Sequence, residues 1–101
     1  MKLLTKELEK QFPKLYATED MPTEEKKVIA KFFTPWTNWT WYAVEFDGNN
    51  LFFGLVDGHE KEWGYFSLKE LASITGPAGL KIERDRYFGQ PMIKDILGLA
   101  S

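Results

Sequence analysis

The run Asn38-Trp39-Thr40-Trp41-Tyr42-Ala43-Val44-Glu45-Phe46, closed by Asp47-Gly48-Asn49-Asn50, restricts this chain more than any other stretch. Its large side chains alternate, and a strand sends successive side chains to opposite faces. Thr40, Tyr42, Val44 and Phe46 therefore share one face, the first, while Trp39, Trp41, Ala43 and Glu45 share the second. Large apolar groups on both faces need cover on both, so the run predicts a central strand packed from two sides. Gly and Asn tolerate the positive φ of a tight hairpin, so the chain is expected to turn back at Gly48-Asn49.

That turn sets a register. It pairs Phe46 with Leu51, Val44 with Phe53 and Tyr42 with Leu55 on the first face, as neighbours across a hairpin. This face is wholly apolar and is expected to be the main core, with Phe53 in mid-strand as an anchor. The second face then carries Trp39, Trp41, Ala43, Glu45, Phe52, Gly54 and Val56. Asp57-Gly58 marks the next turn, and Lys61 to Phe66 predicts a fourth strand. Loop length decides which face that strand's side chains join, because the period is two residues. A two- or four-residue loop sends Lys61, Trp63 and Tyr65 to the second face, and a three-residue loop sends them to the first.

Upstream, Thr5 is placed to cap a short helix with Leu8 and Phe12 inward; Pro13 disfavours helical backbone at Phe12 and ends it. Residues 17–27 are polar, hold Pro22, Glu19, Asp20, Glu24 and Glu25, and read as an exposed, solvated loop. Val28 to Phe33 is β-branched and aromatic and predicts the first strand. Downstream, Ser67-Leu68-Lys69-Glu70 is a capping box. It opens a helix to about Thr75 over the first face, and Gly76-Pro77 stops it. Ile82 to Phe88 alternates and carries charges that suit an edge strand. Pro91 starts a last helix with Met92, Ile93, Ile96 and Leu97 on one stripe. The expected fold is α+β in a single domain, residues 1–101. It is an antiparallel meander of four strands, with a fifth extended segment at the edge, packed with two or three short helices.

Composition narrows the function classes. A 101-residue chain, 44% of it hydrophobic, suffices for one core. The net charge of −2 works against general duplex binding, which calls for a basic excess. With no cysteine, disulfides and thiolate metal sites are excluded. The opening Met1-Lys2-Leu3-Leu4-Thr5-Lys6-Glu7 turns charged too early for a signal peptide. No apolar run approaches the ~20 residues of a spanning helix. A cytoplasmic protein without membrane contact is expected.

No catalytic pattern emerges. His59, the one histidine, follows Asp57-Gly58 and reads as an exposed turn residue; a general base needs a partner within hydrogen-bond reach. Metal ligation by His59, Glu60 and Asp85 lacks any supporting spacing, and no Ser or Thr sits in a nucleophile elbow. Gly76-Pro77-Ala78-Gly79 lies at a helix end without a Lys-Ser/Thr partner, so it is no phosphate loop. Neither enzyme chemistry nor a cofactor nor a metal is expected.

Two surfaces remain as binding candidates. On the second face, Trp39, Trp41, Phe52, Trp63 and Tyr65 surround the small Ala43 and Gly54, with Glu45 and Lys61 alongside. Under a covering helix these aromatics are core. Left open, they form an anchor patch for a protein partner or, as the alternative, a stacking platform for single-stranded nucleic acid. The second candidate is Glu83-Arg84-Asp85-Arg86. Alternation puts Arg84 and Arg86 on one side, where they meet phosphate or partner carboxylates unless Glu45 or Glu62 neutralises them.

Several of these residues recur together in one family. Asn38-Trp39-Thr40-Trp41-Tyr42, Phe52-Phe53-Gly54-Leu55-Val56, Gly64-Tyr65-Phe66-Ser67-Leu68, Gly76-Pro77 and Ile82-Glu83-Arg84-Asp85 stand in that order, after an opening Lys2-Leu3-Leu4-Thr5. The chain thereby resembles a bacterial family of roughly hundred-residue proteins classed as domain of unknown function 2958. The resemblance spans nearly the whole chain. It implies a setting on plasmids, integrating elements and phages, beside genes for transfer, replication and evasion of host defence, and it implies no site residues. The leading expectation is a non-enzymatic protein-binding component of such an element.

Overall fold

The computed structural model describes residues 2–98, so Met1 and residues 99–101 of the expected domain lie outside the described residues. The expected strands form in order as β1 (Ala30–Phe33), β2 (Thr40–Phe46), β3 (Leu51–Asp57) and β4 (Lys61–Ser67). Each pairs antiparallel with the next. A short β5 (Glu83–Arg84) joins the outer side of β1, giving the order β4-β3-β2-β1-β5. Only those two residues of the expected 82–88 edge segment enter the ladder. Three short helices, α1 (Lys6–Glu9), α2 (Leu68–Ser73) and α3 (Ile93–Ile96), complete an α+β fold. Among the described residues no helix is long and apolar enough to cross a membrane.

Local chemistry explains the boundaries. Thr5 Oγ1 accepts from the Leu8 amide at 3.1 Å, and Ser67 Oγ accepts from the Glu70 amide at 3.2 Å, so both expected caps form. Between β2 and β3, Asp47 Oδ1 accepts from the amides of Asn49, Asn50 and Leu51 at 2.8, 2.7 and 3.0 Å. The Asn50 bond foremost, then that from Asn49, holds this carboxyl below the usual carboxylate range. Gly48 takes φ +84°, which costs a residue without a Cβ little. Asp95 Oδ2 accepts from the Met92 amide at 3.0 Å and opens α3.

The register departs from expectation at two places, each by one residue. Tyr42 pairs with Leu55 and Ala43 with Gly54 as the turn predicts, but Glu45 then pairs with Phe53 and Phe46 with Phe52. Val44 is the extra residue of a β-bulge, which re-aims every side chain beyond it. A Cβ at Gly54 would run into the Tyr42 carbonyl oxygen, so this crossing requires glycine. At the next turn Asp57 pairs with Lys61, leaving a three-residue loop of Gly58, His59 and Glu60. The bulge carries Phe46 to the second face and Glu45 to the first. The loop carries Lys61, Trp63 and Tyr65 to the first face and Phe66 to the second.

The main core consequently lies on the second face, a correction to the expected layering. Phe52 is fully buried and meets the rings of Phe46 at 4.5 Å, Phe66 at 5.4 Å, and Phe32 and Phe12 at 5.5 Å. Trp41, Ala43, Leu3, Leu4, Leu71 and Ile82 complete this core, with Leu8, Trp36, Trp39 and Leu68 packed against it. The segment from Leu3 through α1, together with α2, therefore covers the second face, not the first. The first face holds a smaller core of Val28, Tyr42, Val44, Leu55 and Ile93, to which Phe88, Ile96 and Leu97 are added. The last helix roofs it, although Met92 of the expected stripe is exposed. Burial first, and the Asp57 charge second, raise the Tyr42 hydroxyl above the usual phenol range. Phe53 is only half-buried and anchors neither core.

Candidate functional site

Beyond the roof formed by α3, the first face opens toward β4. Phe53, Trp63 and Tyr65 lie there as a shelf of three rings. Phe53 stacks on Trp63 at 5.7 Å and 23°, and meets Tyr65 at 5.2 Å. Trp63 remains 37% exposed and Tyr65 50%, high values for aromatics in a paired strand. Facing the shelf is the strap of residues 13–27. Together they enclose a groove of about 330 Å³ lined by Tyr16, Glu19, Thr23, Lys26, Glu45, Phe53, Trp63 and Tyr65.

Glu45 holds the strap in place. Its Oε1 accepts from the Tyr16 amide at 2.8 Å, and its Oε2 accepts from the Thr18 amide at 3.0 Å and from the Thr18 hydroxyl. Lys26 Nζ donates to the Thr18 carbonyl and, at 3.0 Å, to the Thr18 Oγ1. Glu45, Thr18 and Lys26 are all buried. Buried charges persist only when hydrogen-bonded and compensated, and Thr18 bridges the two here. The strap is the exposed stretch its composition suggests, with Glu19, Asp20, Glu24 and Glu25 exposed, but buried Thr18 and Lys26 pin it to the sheet. Tyr16 adopts φ +70°, an uncommon conformation for a non-glycine residue. Hydrogen bonding to the Tyr16 side chain, then desolvation, then the charges of Glu45 and Glu19 raise the Tyr65 hydroxyl above the usual phenol range.

The shelf lies on an open sheet edge, because β4 is the terminal strand. The Leu68 amide donates to the Asn50 carbonyl at 2.8 Å, and the Gly58 amide donates to the Glu60 carbonyl at 3.2 Å. In an antiparallel ladder the bonded pairs alternate. Residues 60, 62, 64, 66 and 68 thus face inward to β3, and the backbone groups of Lys61, Trp63 and Tyr65 point outward. Among the described residues no other segment pairs with them. The residues that supply the exposed rings also supply the unpaired N–H and C=O groups.

The expected constellation is therefore divided. Glu45, Trp63 and Tyr65 come together in the groove, and Lys61 lies exposed farther along the same face. Trp39, Trp41 and Phe52 belong to the covered core on the opposite side, so they form no binding surface. Trp39 also takes an edge-to-face contact with His59 at 5.5 Å. Arg84 is tied down: its Nη1 donates to the Lys2 carbonyl at 3.1 Å and the Leu3 carbonyl at 2.7 Å. Arg86 is exposed beside it. Both line a cleft of about 360 Å³ that also contains Glu7 and Asp85. Neither Glu45 nor Glu62 neutralises them, since Glu45 is engaged by the Tyr16 and Thr18 amides and Glu62 lies on β4, the opposite edge of the sheet from β5. Sequence reasoning missed Tyr16, Glu19, Thr23, Lys26 and Phe53 as groove residues. A lone large aromatic, Tyr16, ahead of a polar stretch was the only local hint; its partner Glu45 is 29 positions away.

Comparison with known proteins agrees with the motif resemblance. No curated protein and no solved structure matches the chain. The model of a family described as protein of unknown function (DUF2958) matches residues 3–94, and the chain belongs to that family.

Proposed function

We propose that this protein acts by binding another protein through the groove and the open edge of β4, as a non-enzymatic component of a bacterial mobile genetic element. The observation that carries this reading is the coincidence at Trp63 and Tyr65 of exposed rings and outward-facing backbone on a strand whose outer edge is unpaired among the described residues. Strand addition draws affinity from main-chain hydrogen bonds and specificity from alternate side chains, and Trp and Tyr dominate the energetics of protein interfaces. The buried charged groups of the groove are already engaged, Glu45 by Tyr16 and Thr18 and Lys26 by Thr18. That supports a contact surface over acid–base chemistry. Exposed Glu19, with Asp20, Glu24 and Glu25 farther along the strap, works against a phosphate backbone, so single-stranded nucleic acid is the weaker reading. The mobile-element setting rests on the family resemblance.

The test is capture of partners from the natural host with the wild-type chain and with a folded Trp63→Ala/Tyr65→Ala double variant. A partner retained by the first and lost by the second supports the reading. Equal capture by both, or salt-sensitive quenching of Trp63 emission by single-stranded oligonucleotides at sub-micromolar concentration, would overturn it.

A further inference from the structure

We propose that the groove recognises a positively charged side chain, arginine above lysine, carried by an extended partner segment that adds to β4 as a sixth strand. This inference rests on the protein-binding reading and specifies the chemistry of the partner. A strand laid along β4 presents every second side chain to the first face, as a cross-strand neighbour of Trp63 and Tyr65. There it meets the rings of Trp63 and Tyr65, with Tyr16 lining the same groove. An arginine guanidinium stacks on aromatic faces and keeps its N–H groups in plane for a carboxylate. Glu19 lines the same groove and is exposed, ready to pair.

The charge balance inside the groove points the same way. Its lining carries two carboxylates, Glu19 and Glu45, and one cation, Lys26. Lys26 Nζ is committed to Thr18 and buried, so it neutralises Glu45 through that residue and offers nothing to a ligand. Glu19 remains uncompensated within the groove, and along the strap Asp20, Glu24 and Glu25 outnumber the exposed Lys14 and Lys27. A neutral or acidic strand would gain the backbone bonds of β4 but would leave Glu19 unpaired beside it. A cationic strand gains both.

The experiment uses the full chain and a blocked octapeptide of alternating threonine and arginine. It is titrated calorimetrically beside the same peptide with citrulline, an uncharged near-isostere of arginine. A third peptide is N-methylated on the amides that would face β4. The arginine peptide is expected to bind, and citrulline to weaken it about tenfold, the size of a partly desolvated cation–π contact with a carboxylate alongside. N-methylation is expected to weaken it by a similar factor through lost edge pairing. Glu19→Gln, an exposed change that leaves folding intact, is expected to shrink the arginine-over-citrulline preference severalfold. Equal binding of the arginine and citrulline peptides would overturn the inference, and so would indifference to N-methylation. Sedimentation showing a dimer that shields Trp63 would also overturn it, assigning the edge to a second copy of this chain. A host partner lost with the Trp63/Tyr65 variant but contacting the groove through an uncharged segment would remove this inference and leave the protein-binding reading standing. A partner captured equally by that variant would remove both.

Discussion

Replacing Phe52 by alanine, beside the same change at Phe53, tests the layering of the fold at adjacent positions. Phe52 is fully buried and meets four rings between 4.5 and 5.5 Å. Truncating a buried phenylalanine costs about 3–5 kcal/mol. Aromatic pairs add ~0.5–1.5 kcal/mol each beyond burial, which puts this site at the upper end. Phe53 is half-buried, and its ring contacts among the described residues are with Trp63 and Tyr65, themselves exposed. Its loss should cost about 1–2 kcal/mol. A domain of this size holds roughly 5–15 kcal/mol, so Phe52→Ala removes a third or more of its stability. With a urea m-value of ~1.5 kcal/mol/M, the midpoint falls by ~2–3 M for Phe52→Ala and by ~1 M for Phe53→Ala. Equilibrium urea unfolding followed by circular dichroism measures both. A Phe53→Ala loss equal to or larger than that of Phe52→Ala would refute the assignment of faces.

Three further outcomes follow from single sites. Gly54→Ala should destabilise by about 1–3 kcal/mol, because its Cβ meets the Tyr42 carbonyl oxygen; a neutral melting temperature would show that the bulge is absent. Glu45→Gln should cost ~2 kcal/mol, since it removes a charged acceptor and leaves Lys26 buried without an anion. Hydrogen exchange should quicken at the Tyr16 and Thr18 amides while those of β3 stay protected, and uniform protection would contradict the anchoring role. Asp47, with a lowered folded pKa, contributes stability that is present above the usual carboxylate pKa and lost as pH falls through the folded value. The stability gap between wild type and Asp47→Ala should therefore be open at pH 7 and narrower at pH 2–3, and a gap that widens in acid would reverse the argument.

Local chemistry was legible wherever a side chain acts on its own neighbourhood. Thr5 and Ser67 reach amides three residues on, and Asp47 reaches amides two to four residues on, so the cap and turn positions follow from spacing alone. The strands followed for the same reason, as did the pairing of Tyr42 with Leu55 at the far end of the hairpin. Both faces of β2 are apolar, however, and alternation says only that two faces exist. Which of them becomes the main core is decided by what is laid over each, and that cover comes from distant segments. The second face is closed by Leu3-Leu4, α1 and α2, and the first by α3.

The groove lay further out of reach. It depends on two one-residue events, the bulge at Val44 and the three-residue loop after Asp57, and each inverts every facing beyond it. Neither has a signature stronger than the two-residue alternation it breaks, and alternation alone places Trp39, Trp41 and Phe52 with Trp63 and Tyr65. The far wall depends on Glu45 recruiting the Tyr16 and Thr18 amides across 29 and 27 positions. Arg84 is likewise satisfied by carbonyls some eighty positions away. Sequence by itself determined the elements, their caps and the presence of surplus aromatic rings. Tertiary structure alone decided which rings are core and which stand open, because burial belongs to pairs of segments whose closure no local pattern records.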